Sequence, residues 1–209
     1  MGKDTLPKNW PRIPYLLQPS YASHITESQS QATKTRPLDL VAEIPRNFPR
    51  GPSSLVRIAF IHNPAHPANN EAGLFAGKYL PPGSLVLPYY GVVHSSVPPH
   101  NVAHQTSDYD LWLDRDVDLA VDAEKAGNEA RFINDFRGIA ARPNCEFREC
   151  WDSRRGERCM AVFVLPASKN ANKNVVAGVG KAEELLVSYG KGFWGKRRDE
   201  IAGEDMSMG

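Results

Sequence analysis

GNEARFINDFRGIAARPN, residues 127–144, sets an apolar pair, Phe132 and Ile133, directly against Asn134 and Asp135, with Arg137, Gly138, Pro143 and Asn144 further on. A short apolar segment followed by Asn-Asp, Arg-Gly and Pro-Asn reads as a buried piece of chain emptying into a polar loop. Such a loop is either an ordinary turn, for which Asn, Asp and Gly are favoured on conformational grounds alone, or a ligand site. These residues leave both readings open.

On either side the texture is that of strands. DYDLWLDRDVDLAVD, residues 108–122, alternates apolar and polar positions as a half-buried hairpin does, with its aspartates assigned to the wet face. CEFRECWDSRRGERCMAVFVLPA, residues 145–167, repeats the theme about a charged turn at Ser153 to Gly156. Further out, LVRIAFI (55–61) reads as a strand between prolines, and YLPPGSLVLPYYGVV (79–93) as a turn at Pro82–Gly83 followed by a strand. Residues 1–52, rich in Pro, Ser, Thr and Gln, read as an extension without its own core. Its isolated aromatics Trp10, Tyr15 and Tyr21 and the run LVAEIP could still dock on a domain over 53–195. Residues 196–209 form a polar tail, in which Lys196, Arg197 and Arg198 run at once into acids, as a solvated end does. Short strands, little helix and no internal repeat describe a mainly β fold.

A chain of 209 residues can bury one sizeable core. With 25 Lys plus Arg against 24 Asp plus Glu, the net charge of +1 gives no general attraction to nucleic acid or acidic membrane, so no direct nucleic-acid binding is expected. No apolar run approaches the roughly 18 residues of a membrane span, and MGKDTLPKNWPR lacks the apolar stretch of a secretory signal. An intracellular protein is expected. Cys145, Cys150 and Cys159 lack metal-site spacing and read as buried thiols. His62 and His66 have the spacing of a helical zinc pair, but Pro64 and Pro67 argue against a helix, and no metal is expected.

Four ordered segments together resemble the SET-domain protein lysine methyltransferases. EAGLFAGKYLPPGSLVLPYYGVV (71–93) is similar to the family's opening, SDYDLWLD (107–114) to its tyrosine-bearing strand, VDAEKAGNEARFINDFRG (121–138) to its RFIN segment, and EELLVSYGKGFW (183–194) to its closing motif. The resemblance implies a SET fold: small curved sheets, few short helices and a knot-like C-terminal crossing at which S-adenosylmethionine binds. By the same resemblance Ala72, Gly73 and Leu74 allow close approach to the cofactor. Arg131 and Phe132 shape the crossing, Asn134 hydrogen-bonds the methionine end, Asp135 beside it is a further cofactor-binding position, and Phe193 and Trp194 cover the adenine. Tyr109 and Tyr189 are implied at the methyl-transfer centre. Val187, two before Tyr189, stands where residue size is tied to the number of methyl groups added.

The resemblance also implies a protein substrate, with a histone tail or nucleosome first among candidates, and hence nuclear chromatin as the place of action. Three departures stand out. The family's NHSCxPN loop is NDFRGIAARPN here, its EYxGE strand is PYYGV, and no CxCxxxxC cluster follows Trp194. A catalytically idle module that binds a peptide or chromatin partner is therefore the alternative. A homodimer built through the extension is also left open.

Overall fold

The computed structural model describes residues 6–167 and 177–190. Strand β3 (Val56–Phe60) pairs antiparallel with β4 (Ala72–Ala76), Val56 facing Ala76 and Phe60 facing Ala72. The apolar run at 85–93 does not continue as one strand. It divides into β5 (Leu85–Tyr89) and β6 (Val92–Ser95), which enter different sheets. The break falls at Gly91, where a Cβ would lie 2.4 Å from the Asp122 carbonyl oxygen, so only glycine lets the two backbones cross this closely.

The predicted hairpin forms as β7 (Asp110–Asp114) and β8 (Leu119–Asp122), antiparallel, with an irregularity between Trp112 and Asp114. The second forms as β10 (Cys145–Asp152) and β11 (Glu157–Val164), registered from Cys145 opposite Val164 to Asp152 opposite Glu157. Leu74, Val86, Leu119, Val162, Leu185 and Val187, all 0% exposed, lie in the main core. All three cysteines are buried thiols, and burial pushes Cys145 up to about 12.

The aspartates of the first hairpin are not uniformly wet. Asp116 and Asp118 are exposed, but Asp114 and Asp122 are buried because each has donors waiting for it. Arg158 pairs with Asp114. Asp122 accepts from Ser107 Oγ (2.7 Å), Glu124 N (2.8 Å) and His104 Nδ1 (2.6 Å). Alternation alone cannot separate a wet face from a face covered by partners distant in sequence.

The N-terminal segment extends these sheets. Strand β1 (Ser20–Tyr21) adds parallel to β6, β2 (Glu43–Ile44) adds parallel to β10, and Tyr15 bridges Gly127. β1 and β2 each cover a strand edge that would otherwise expose unpaired backbone. Between them α1 (Glu27–Thr33) starts with a capping box in which Thr26 and Gln29 satisfy each other's backbone. Tyr15 donates to Glu129 (2.8 Å), and burial together with that carboxylate holds its hydroxyl well above the usual range. Trp10 packs edge-on to Phe132, with ring centres 5.8 Å apart.

A histidine cluster braces the start of β7. His94, fully buried, has Nδ1 3.0 Å from the Ser95 carbonyl and Nε2 2.9 Å from Asp110, so both ring nitrogens face acceptors. Burial opposes the charged ring, but the hydrogen bonds to Asp110 and Ser95 outweigh it and raise its pKa. His24 does the reverse: its Nε2 accepts from Ser95 N (3.1 Å), and desolvation with the neighbouring histidines lowers its pKa. A raised folded value stabilises below the unfolded value of 6.5 and is lost as pH climbs through the folded value. A lowered value stabilises above 6.5 and is lost as pH falls. The contribution of this pair should therefore peak near pH 6.5. Urea midpoints across pH 5 to 9, roughly the range in which histidine titrates, should show the alkaline decline flatten in His94→Gln and the acid decline flatten in His24→Gln.

Candidate functional site

After β8 the chain makes a short 3₁₀ turn, Glu129–Phe132, and enters β9 (Asn134–Asp135), which pairs parallel with β12 (Leu186–Val187). Asn144 ties the crossing together. Its backbone N donates to Leu186 O (3.1 Å), its Nδ2 to Glu184 O (2.7 Å), and its Oδ1 accepts from Leu186 N (2.8 Å). The asparagine thus substitutes for a strand neighbour, a role sequence reading did not assign.

Beside this crossing lies a cavity of about 360 Å³ whose walls include Ala72, Tyr109, Arg131, Phe132, Asn134, Asp135 and Tyr189. Seven residues singled out from sequence, drawn from four separate segments, therefore meet on one cavity. Its volume falls in the roughly 300–1,000 Å³ range of small-molecule sites. Gly73 and Leu74 lie on the same strand as Ala72, Leu74 being fully buried; a Cβ on Gly73 would come 2.7 Å from Glu184 Oε1. Val187 is fully buried in the core and does not line the cavity. Phe193 and Trp194 lie outside the described residues.

Each wall residue is held. Arg131 donates to the carbonyls of Ala123 (2.9 Å) and Glu124 (3.2 Å), and its guanidinium lies 4.2 Å from the Tyr109 ring centre and 5.0 Å from that of Phe132. Tyr109 N donates to Ser107 Oγ (3.1 Å), which is itself held by Asp122, and Tyr109 O accepts from Tyr89 OH (2.6 Å). Asp135, 6% exposed, accepts from Tyr189 N (2.7 Å) and from Arg137 Nη1 (2.8 Å). Tyr189 OH donates to Ile133 O (2.6 Å). The longer loop after Asp135 forms part of the cavity wall, where Arg137 and Ile139 line it together with Pro67 and Ala68.

Two residues that sequence reading left without a role join the site from behind. Glu184 accepts from Asn134 Nδ2 (2.8 Å) and faces His66 Nε2 (3.0 Å). His66 thus serves a carboxylate; the only sequence signal was its place in HNPAHP. No cluster of three or more potential metal-ligating side chains occurs among the described residues.

A family model described as SET domain matches residues 71–190, more than half of the chain. The chain belongs to the SET-domain family. Strands β4 to β12 and the crossing fall within the matched residues. Among solved structures the SET domain is similar to chains of the Chaetomium thermophilum polycomb repressive complex 2. One crystal structure of that complex matches with 22% identity over 65% of this chain and 15% of that chain, TM-score 0.47. The complex in an autoinhibited conformation bound to S-adenosylmethionine matches with 19% identity over 72% of this chain and 17% of that chain, TM-score 0.47. The chain therefore spans about one sixth of the length of these solved chains. A comparison with curated proteins finds no match.

Proposed function

We propose that this SET domain is an S-adenosylmethionine-dependent protein lysine N-methyltransferase acting on a histone tail, and so on chromatin in the nucleus. The observation that carries the reading is the single cavity on which Tyr109, Arg131, Phe132, Asn134 and Tyr189 converge. Its residues fit the cofactor. Asn134 Oδ1 accepts no hydrogen bond within the described residues and is available to the amino group of the methionine end. Phe132 and the Arg131–Tyr109 stack line the cavity, while the missing Cβ at Gly73 leaves room for the Glu184 carboxylate behind Asn134.

S-adenosylmethionine supplies an activated methyl group on a sulfonium. The protein must present a neutral amine in line with it. A lysine with its usual pKa of about 10.4 costs roughly 4.6 kcal/mol to hold neutral at pH 7, and desolvation beside a cation lowers that cost. Tyr189 directs its only hydroxyl hydrogen at Ile133 O, so its oxygen faces the incoming amine as an acceptor. Tyr109 is the second tyrosine on the same wall. Asp135, the departure from the family's histidine, supports the reading because its carboxylate fixes the backbone of Tyr189.

Labelled methyl from S-adenosylmethionine should pass to histones in recombinant nucleosomes or free in solution, and Asn134→Ala should reduce the transfer at least tenfold, as loss of a hydrogen bond to a charged group predicts. Absence of cofactor binding by calorimetry would instead support the alternative, an idle module that holds a peptide.

A further inference from the structure

We infer that Glu184 is a positioning residue for the cofactor: held by His66, it fixes the Asn134 amide so that Oδ1 is presented to the cationic amino group of the methionine end. The inference rests on the proposed cofactor.

The argument is one of donors and acceptors. Glu184 Oε1 lies 2.8 Å from the Asn134 amide nitrogen, and an ionised carboxylate can only accept. Asn134 must therefore turn its NH₂ toward Glu184 and its oxygen toward the cavity it lines. Without that carboxylate the two amide orientations would compete, and one of them would point donors at a cation.

Glu184 is fixed in turn. Its side chain is 10% exposed, its Oε2 lies 3.0 Å from His66 Nε2, and its backbone O accepts from Asn144 Nδ2 (2.7 Å). His66 Nδ1 accepts from Ala68 N (3.0 Å), so the ring carries its proton on Nε2 and donates it to Glu184. A neutral ring leaves the carboxylate's charge uncompensated, and no Lys or Arg lies within ion-pair reach of it among the described residues. That charge, relayed through the Asn134 amide, strengthens the oxygen as an acceptor for an ammonium group. The absence of a side chain at Gly73 makes room for the carboxylate on its other side.

The test is calorimetric and needs no turnover. Wild type and Glu184→Gln are titrated with S-adenosylmethionine and with 5′-methylthioadenosine, which keeps the nucleoside and lacks the amino-acid end. Glu184→Gln should weaken S-adenosylmethionine binding by roughly tenfold or more, the scale of a lost charge-assisted hydrogen bond, and leave methylthioadenosine within about twofold. In an Asn134→Ala background the same change should cost little more, because the two act as one unit; this coupling decides the matter if methylthioadenosine binds too weakly to titrate. Equal weakening of both ligands, additive losses, or no loss at all would each overturn the inference while leaving the cofactor reading intact. Wild type that binds no S-adenosylmethionine would overturn both.

Discussion

Tyr189→Phe should lower kcat for methyl transfer by roughly two to three orders of magnitude, the scale of removing one oriented polar group from a reacting centre, while the dissociation constant for S-adenosylmethionine stays within about threefold. The separation follows from how the residue is held. Its backbone N–H is bound by Asp135 and survives the substitution. The ring keeps its place on the cavity wall. Only the hydroxyl goes, and with it the acceptor proposed to meet the lysine amine. The Ile133 carbonyl also loses its donor, which should cost about 1 kcal/mol of stability, too little to unfold the domain. Single-turnover transfer with cofactor saturated separates the chemical step from binding. A variant that keeps more than a tenth of the wild-type rate would remove Tyr189 from the reaction.

Gly91→Ala should destabilise the fold by about 3 kcal/mol or more, at the upper end of overpacking substitutions. An added Cβ would lie 2.4 Å from Asp122 O, 2.6 Å from Asp122 C and 2.9 Å from Ala123 N. All three are backbone atoms, and neither side can move freely, because Val92 is registered against Asp122 in the same sheet. The damage would not stay local, since the Asp122 carboxylate holds His104 and Ser107, and Ser107 holds Tyr109. Gly51→Ala is the comparison: φ there is +85° with nothing within 4 Å of the added carbon, so the cost is conformational only, about 1–2 kcal/mol. Urea unfolding of both variants measures the difference. Equal costs would show that the chains at Gly91 can separate.

The strands were legible because their signals are local. Alternation marked both hairpins, and Ser153 to Gly156 announced a turn without reference to any other segment. Part of the cavity was also legible, since the tyrosines at 109 and 189 and the asparagine at 134 carried family motifs and converge in space. What escaped was the layer behind them. His66 reaches Glu184 across 118 residues and Asn134 reaches it across 50; in sequence His66 stood out only as half of a discounted zinc pair, and Glu184 only as part of the closing motif. The buried Asp114 and Asp122 escaped for the same reason. Trp10, Tyr15 and Tyr21 looked isolated because their partners Phe132, Glu129 and Glu157 lie more than a hundred positions away. The loop after Asn134 departs most from the family pattern, yet it supplies the Asp135 anchor and one wall of the cavity.

The edge strands of the N-terminal segment set an order of events when the protein is made. Ser20–Tyr21 cannot pair before Val92–Val93 exists, and Glu43–Ile44 must await Trp151–Asp152. Each of these edge strands is therefore made well before the strand it pairs with. The Asn134–Asp135 strand has the latest partner of the three, Leu186–Val187, so the cavity is completed only as Tyr189 arrives. Long-range parallel pairings of this kind fold slowly, and a small molecule that binds the finished cavity would act on the last step, withdrawing the completed form from those that precede it.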